Sequence, residues 1–78
     1  MHNRIQELTR AVAGLEGHAA AKTAILNELE RMARDVDADL DTRRRHARAL
    51  AGVVLRERSL TQTPLGQALT AFLAEYAS

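Results

Sequence analysis

Arginine residues recur at helical spacing in the middle of this 78-residue chain, and their guanidinium groups are the side chains best suited to bind a ligand. On a helix, Arg45, Arg48 and Arg56 share one face and Arg44 lies on its flank. Gly52 occupies the same face at the same spacing. Because guanidinium groups form bidentate hydrogen bonds to phosphate, this stripe predicts binding of a nucleic acid or a nucleotide. The alternative is a solvated face, or one paired with acidic residues of another copy.

The charges of the chain are unevenly distributed. Residues 42–58 contain six Arg and one Glu, a net charge of +5, whereas residues 1–41 contain five basic and eight acidic residues, a net charge of −3. The whole chain has a net charge of only +1, and its basic stripe contains no aromatic residue that could stack on bases. Anionic-ligand binding through the segment Arg43–Arg58 is therefore the alternative hypothesis, and binding of a protein partner is the leading one.

Phe72 and Tyr76 are the only aromatic residues and lie one helical turn apart. Aromatic side chains often anchor protein interfaces, so this pair is a candidate contact for a partner protein. The alternative is that both rings pack the C-terminal helix onto its neighbour.

Other patterns in the sequence do not support catalysis or metal binding. Asp35, Asp37 and Asp39 are spaced like the start of a calcium loop, but Leu40 and His46 occupy the positions that require Gly and Glu. The three His residues are far apart in sequence, there is no Cys, and no nucleophile has a base near it. We therefore expect no metal, no cofactor and no enzymatic activity.

The segment Ser59–Leu69 resembles the opening of a helix-turn-helix motif, with a Leu-Thr-Gln run before a Gly-containing helix start. Only Thr70–Ser78 follow it, and they carry no basic residue that could meet DNA. The sequence therefore does not predict a recognition helix.

Composition and periodicity indicate an all-α fold. The chain has one Pro and is rich in Ala, Leu, Arg and Glu, which favours helix. Apolar residues recur at alternating steps of three and four from Ile5 to Val54, the pattern of helices that pack at shallow angles. The exceptions on these positions are Lys22, Arg43 and Glu57. Because this phase continues across Asp35–Asp41, we predict one long central helix over about residues 18–57, about 60 Å in length. Acid-first pairs such as Asp39 with Arg43 and Asp41 with Arg45 are expected to support it.

A short helix is predicted at each end of the central one. The first covers about residues 3–16, with Gly17 closing it in a left-handed conformation; a continuous first and second helix is the alternative. The last covers about residues 64–77, because Thr63 is a good N-cap and Pro64 suits the first helical position.

We expect a single small helical domain over residues 1–78. Apolar residues make up 46% of the chain, but 15 of them are Ala, so the core is small. The end helices are too short to cover the long apolar seam. The sequence therefore predicts a coiled-coil-like bundle completed by oligomerisation, most simply a homodimer. The leading hypothesis is a protein–protein interaction module from a bacterium or phage, such as an inhibitor, an adaptor or a secretion co-chaperone. The polar first ten residues and the absence of a long apolar stretch predict a cytoplasmic protein without a membrane span.

Overall fold

Five helices and no strands make up the chain in a computed structural model that describes all 78 residues. They are α1 (His2–Ala13), α2 (Ala19–Arg34), α3 (Leu40–Arg56), α4 (Arg58–Thr61) and α5 (Pro64–Tyr76). The longest dimension of the fold is 33 Å, about half the length expected of the central helix. The all-α prediction is confirmed, and the chain folds back on itself where a rod was expected.

The prediction of one unbroken helix over residues 18–57 is wrong at the aspartate segment. Helix α2 ends at Arg34, and Asp39 adopts an extended conformation with φ −62° and ψ 161°. The Asp39 carboxylate accepts a hydrogen bond from the backbone nitrogen of Thr42 at 3.4 Å. Asp39 is therefore the N-cap of α3, which is the position where Asp is most favourable in a helix.

The position of the Arg43 side chain keeps its positive charge from destabilising the start of α3. A cation in the first turn opposes the helix dipole, but the Arg43 side chain turns away from the axis of α3. Its Nε donates to the carbonyl oxygen of Ala38 at 3.1 Å, and its Nη1 donates to those of Tyr76 and Ser78 at 3.4 Å. The positive charge thus lies against carbonyl groups at the C-terminal end of α5, where it is stabilising.

Helices α2 and α3 form an antiparallel pair that encloses part of the predicted seam. His18 before α2 contacts Glu57 after α3, with Nδ1 and Oε2 3.1 Å apart. Four seam residues of the two helices, Leu29, Ala47, Leu50 and Val54, are buried. They share one core with residues from all five helices: Ile5, Leu8, Val12, Ile25, Met32, Leu60, Leu69, Phe72, Leu73 and Tyr76. Leu26 and Ala33 of the predicted seam remain only partly buried, so the original reason for expecting a homodimer applies to part of the seam, and oligomerisation stays a prediction.

The connection between α1 and α2 is a tight turn. Helix α1 ends at Ala13, three residues before the predicted boundary, and the continuous alternative is wrong. Gly17 has φ 75° and His18 has φ 53°, so two successive left-handed residues redirect the chain. The predicted positive φ of Gly17 is confirmed. Gly17 does not close the first helix as predicted, because the C-cap of α1 is Gly14 with φ −83°.

The start of α5 follows the prediction. The hydroxyl oxygen of Thr63 accepts a hydrogen bond from the backbone nitrogen of Gly66 at 3.0 Å, and Pro64 is the first helical residue. The helix ends at Tyr76, within one residue of the expected boundary.

Helix α4 lies between the predicted central and last helices, and it packs against α5 at Gly66. A Cβ atom built on Gly66 would lie 2.0 Å from the carbonyl oxygen of Leu60. Only Gly allows the two backbones to approach this closely.

Candidate functional site

Four arginines form a continuous exposed surface on α3, which we call the arginine face: Arg44, Arg45, Arg48 and Arg56. They fall within an arc of about 120° and extend about 18 Å along the helix. The opposite side of the same helix consists of the buried residues Ala47, Leu50 and Val54. The core thus holds α3 so that the predicted stripe points to solvent.

No residue of the arginine face has an ionic or hydrogen-bonding partner within the chain. The five ion pairs of the fold involve only Arg4, Arg31, His18 and His46 as the basic residues. The expected pairs of Asp39 with Arg43 and of Asp41 with Arg45 do not form. The arginines of this face are therefore without an acidic partner, even though Asp41 and Arg45 lie four residues apart in the same helix.

The acids near the arginine face are few. Asp41 is the only acidic residue of α3, so within this helix the four arginines of the face outnumber the acids four to one. Glu28 of α2 lines the same surface depression as Arg45. Asp39 is committed to its capping role. Its hydrogen bond with Thr42 lowers the pKa of the Asp39 carboxyl below 3.8, and the charge of Arg45 acts in the same direction.

Gly52 lies within the arginine face and has no packing role. A Cβ atom placed on Gly52 would have no neighbouring atom within 4 Å, and its φ is not in the left-handed region. Gly in a helix interior costs about 1 kcal/mol relative to Ala. The missing side chain leaves a gap between Arg48 and Arg56 where a ligand can reach the helix backbone.

A cluster of charged groups joins α2 to α3 beside the arginine face. The two ring nitrogens of His46 lie 3.1 Å from Glu28 Oε1 and 2.7 Å from Asp35 Oδ2. Arg31 Nη1 donates to the second oxygen of Glu28 at 3.1 Å. Glu28 is the one buried charged residue of the chain, and both of its oxygens have partners.

From the sequence, His46 is expected beside the apolar seam as a boundary or interface residue, and the sequence gives no sign of this cluster. In an unbroken helix Glu28 and His46 would be about 27 Å apart, so their spacing carried no signal before the break was known. Neither ring nitrogen of His46 is free, and the groups do not converge as metal ligands would. The cluster therefore clamps two helices together and offers no nitrogen to a substrate.

Phe72 and Tyr76 are in the core and have no exposed surface. Their ring centroids are 5.7 Å apart, and the guanidinium carbon of Arg4 lies 5.8 Å from the centre of the Phe72 ring. Tyr76 donates its hydroxyl hydrogen to the carbonyl oxygen of Met32 at 2.9 Å, and burial raises the pKa of Tyr76 above 10.0. The pair packs helices together, so neither ring is available as a surface anchor.

A shallow apolar depression, which we call the α1–α2 groove, is a second surface feature. It encloses about 540 Å³; Ile5 and Leu29 form its floor, and Leu26 and Ala33 lie along one wall. Arg10 of α1 and Glu30 of α2 lie at its edges. None of the site residues predicted from the sequence lines this groove. The groove exists only because α1 packs beside α2.

None of the five helices combines the length and the apolar character needed to cross a bilayer. Comparison of the chain with protein-family models, with curated proteins and with solved structures gives no match.

Proposed function

We propose that this chain binds the phosphate backbone of double-stranded nucleic acid through the arginine face of α3. The observation that carries this proposal is that Arg44, Arg45, Arg48 and Arg56 are all exposed and have no acidic partner. Arginine is the side chain best matched to phosphate, because its planar guanidinium donates two parallel hydrogen bonds.

The spacing of the arginines suits a repeating anion. Arg44 and Arg48 are about 6 Å apart along the helix axis, and Arg56 lies about 12 Å further. Phosphates recur about every 3.4 Å of axis on each strand of a duplex, so one face can contact several at once. The gap at Gly52 allows the sugar–phosphate backbone to approach the helix between two arginines.

A duplex fits this surface better than a single strand does. Proteins that bind single strands stack the bases on aromatic side chains, and both aromatic residues of this chain are buried. Helix α3 contains no Asn or Gln for base-edge contacts. We therefore expect binding with little sequence preference.

The leading hypothesis from the sequence was a protein–protein interaction module. Its basis was an open apolar seam, and seam residues such as Leu29 and Leu50 are buried within one chain. Leu26 and Ala33 of the same seam remain partly exposed in the α1–α2 groove. Binding of a protein partner stays a proposal, and the surface that supports it is now the α1–α2 groove.

The proposal is tested by fluorescence anisotropy of a labelled short duplex at about 50 mM salt, titrated with the chain and with Arg48→Ala. We expect measurable binding, weakened roughly tenfold by the substitution because one charged contact is lost. Arg10→Ala is the matched control, since it removes the same charge from α1, which does not contact α3. It should bind the duplex almost as well as the unaltered chain.

Three other probes separate duplex binding from other anion binding: the matching single strand, inorganic polyphosphate and anionic lipid vesicles. The proposal requires the duplex to bind more tightly than each of them. Absence of duplex binding at low salt, tighter binding of another probe, or equal losses in Arg48→Ala and Arg10→Ala would each overturn it.

A further inference from the structure

The α1–α2 groove is an apolar surface that the fold leaves uncovered. Its floor residues, Ile5 and Leu29, are buried beneath it, while Leu26 and Ala33 remain partly exposed at its wall. The two helices that form it run antiparallel over about two turns. We propose that a second copy of this chain occupies the groove, an inference that does not depend on nucleic-acid binding.

The charges at the edges of the groove point to this occupant. Arg10 and Glu30 are both exposed, and neither side chain makes an ion pair or a side-chain hydrogen bond within the chain. One edge of the groove thus carries an unpaired cation and the other an unpaired anion. Such a surface is electrostatically complementary to itself.

A two-fold axis along the groove satisfies both charges. Symmetric dimers bring the same patch of each chain together, so α1 of each copy would lie over α2 of the other. Arg10 of each copy would then face Glu30 of the second copy, and the contact would occur twice. The two helical hairpins together form a four-helix bundle, with Leu26 and Ala33 in its interior.

The area of the α1–α2 groove determines the affinity expected for the dimer. Helix α1 has 12 residues and is about 18 Å long, so the contact area is small compared with about 800 Å² per partner in a standard interface. We therefore expect a reversible dimer that forms at micromolar concentration.

The test is sedimentation equilibrium over a series of chain concentrations, on the chain itself and on three charge variants. Arg10→Glu and Glu30→Arg should each raise the dimer dissociation constant roughly tenfold, because two attractive contacts become repulsive. The double variant Arg10→Glu with Glu30→Arg restores the complementary charges and should recover most of the affinity. Both positions are exposed, and circular dichroism checks that each variant keeps its helix content.

Arg48→Glu is the matched control, because it makes the same charge change on the arginine face and should leave the dimer unaffected. A chain that stays monomeric at every concentration overturns the inference. A dimer that ignores the single charge changes, or that the double variant fails to recover, overturns it as well. None of these results affects duplex binding by the monomer, which is measured separately.

Discussion

The hydroxyl group of Tyr76, at the end of α5, donates a hydrogen bond to the carbonyl oxygen of Met32 in the last turn of α2 at 2.9 Å. The last carbonyl groups of a helix have no partner within that helix. This bond therefore supplies a partner for the end of α2 at the place where the chain leaves the predicted rod. It links the C-terminus to the break that allows α3 to fold back.

Replacing this tyrosine, Tyr76→Phe, should lower the free energy of unfolding by about 1–2 kcal/mol, because the Met32 carbonyl loses its partner while the ring stays. The pKa of Tyr76 is raised in the folded chain, so the unfolded chain ionises first as the pH rises past 10.0. The stability of the unaltered chain should therefore begin to fall at that pH. Urea unfolding below and above pH 10.0 measures both effects. An equal alkaline loss in Tyr76→Phe would show that this hydroxyl is not the cause.

Replacing Gly52 or Gly66 by Ala should change the stability of the chain in opposite directions. Gly52→Ala should raise stability by up to about 1 kcal/mol, because Ala has the higher helix propensity and the added methyl group meets nothing. Gly66→Ala should lower stability by about 1–3 kcal/mol, because the methyl group would collide with the backbone at Leu60. Thermal unfolding of the two variants measures both changes in stability. Similar changes in both would contradict the close approach of α4 to α5.

We expect the contact of His46 with the buried Glu28 to contribute more to the free energy of unfolding than its contact with Asp35. His46→Ala removes a partner of Glu28, whose side chain is only 11% exposed, and should cost about 2–4 kcal/mol. Asp35→Asn changes the other partner of His46, which is 43% exposed, and should cost less than about 1 kcal/mol. Chemical denaturation of both variants tests this order. A larger effect from Asp35→Asn would mean that the exposed pair holds the helices together.

The break between α2 and α3 depends on the Asp39 cap. Asp39→Ala should lower the unfolding midpoint, whereas Asp37→Ala, which removes the same charge from an exposed residue of the same turn, should leave it nearly unchanged. Because the pKa of Asp39 is lowered in the folded chain, its stabilising contribution is present above pH 3.8 and is lost as the pH falls below that value. The difference between the two variants should therefore shrink in acid. A constant difference at all pH values would contradict this role.

Much of the helix content could be predicted from the sequence, but the turn between α2 and α3 could not. The periodic apolar positions identify many of the residues that lie inside, and Leu29, Leu50 and Val54 are indeed buried. Their phase is the same in a rod and in a hairpin, because both structures bury the same side of each helix. Periodicity alone therefore cannot show whether the chain continues or turns at Asp35–Asp39.

The candidate site also has a part that could be predicted from the sequence and a part that could not. The shared face of Arg44, Arg45, Arg48 and Arg56 depends only on local helix geometry, and all four residues are exposed. The α1–α2 groove and the contact of Glu28 with His46 depend on how separate helices pair. Such long-range pairings have no local signal in a single sequence.

The most direct test of the proposed function is the salt dependence of duplex binding, measured as the slope of log K against log salt concentration between about 50 and 200 mM. Four phosphate contacts would give a slope of about −3.6. Arg48→Ala should make the slope shallower by about 1, while Arg10→Ala should leave it unchanged. Binding that is insensitive to salt, or a slope that is the same with and without Arg48, would contradict phosphate recognition by the arginine face.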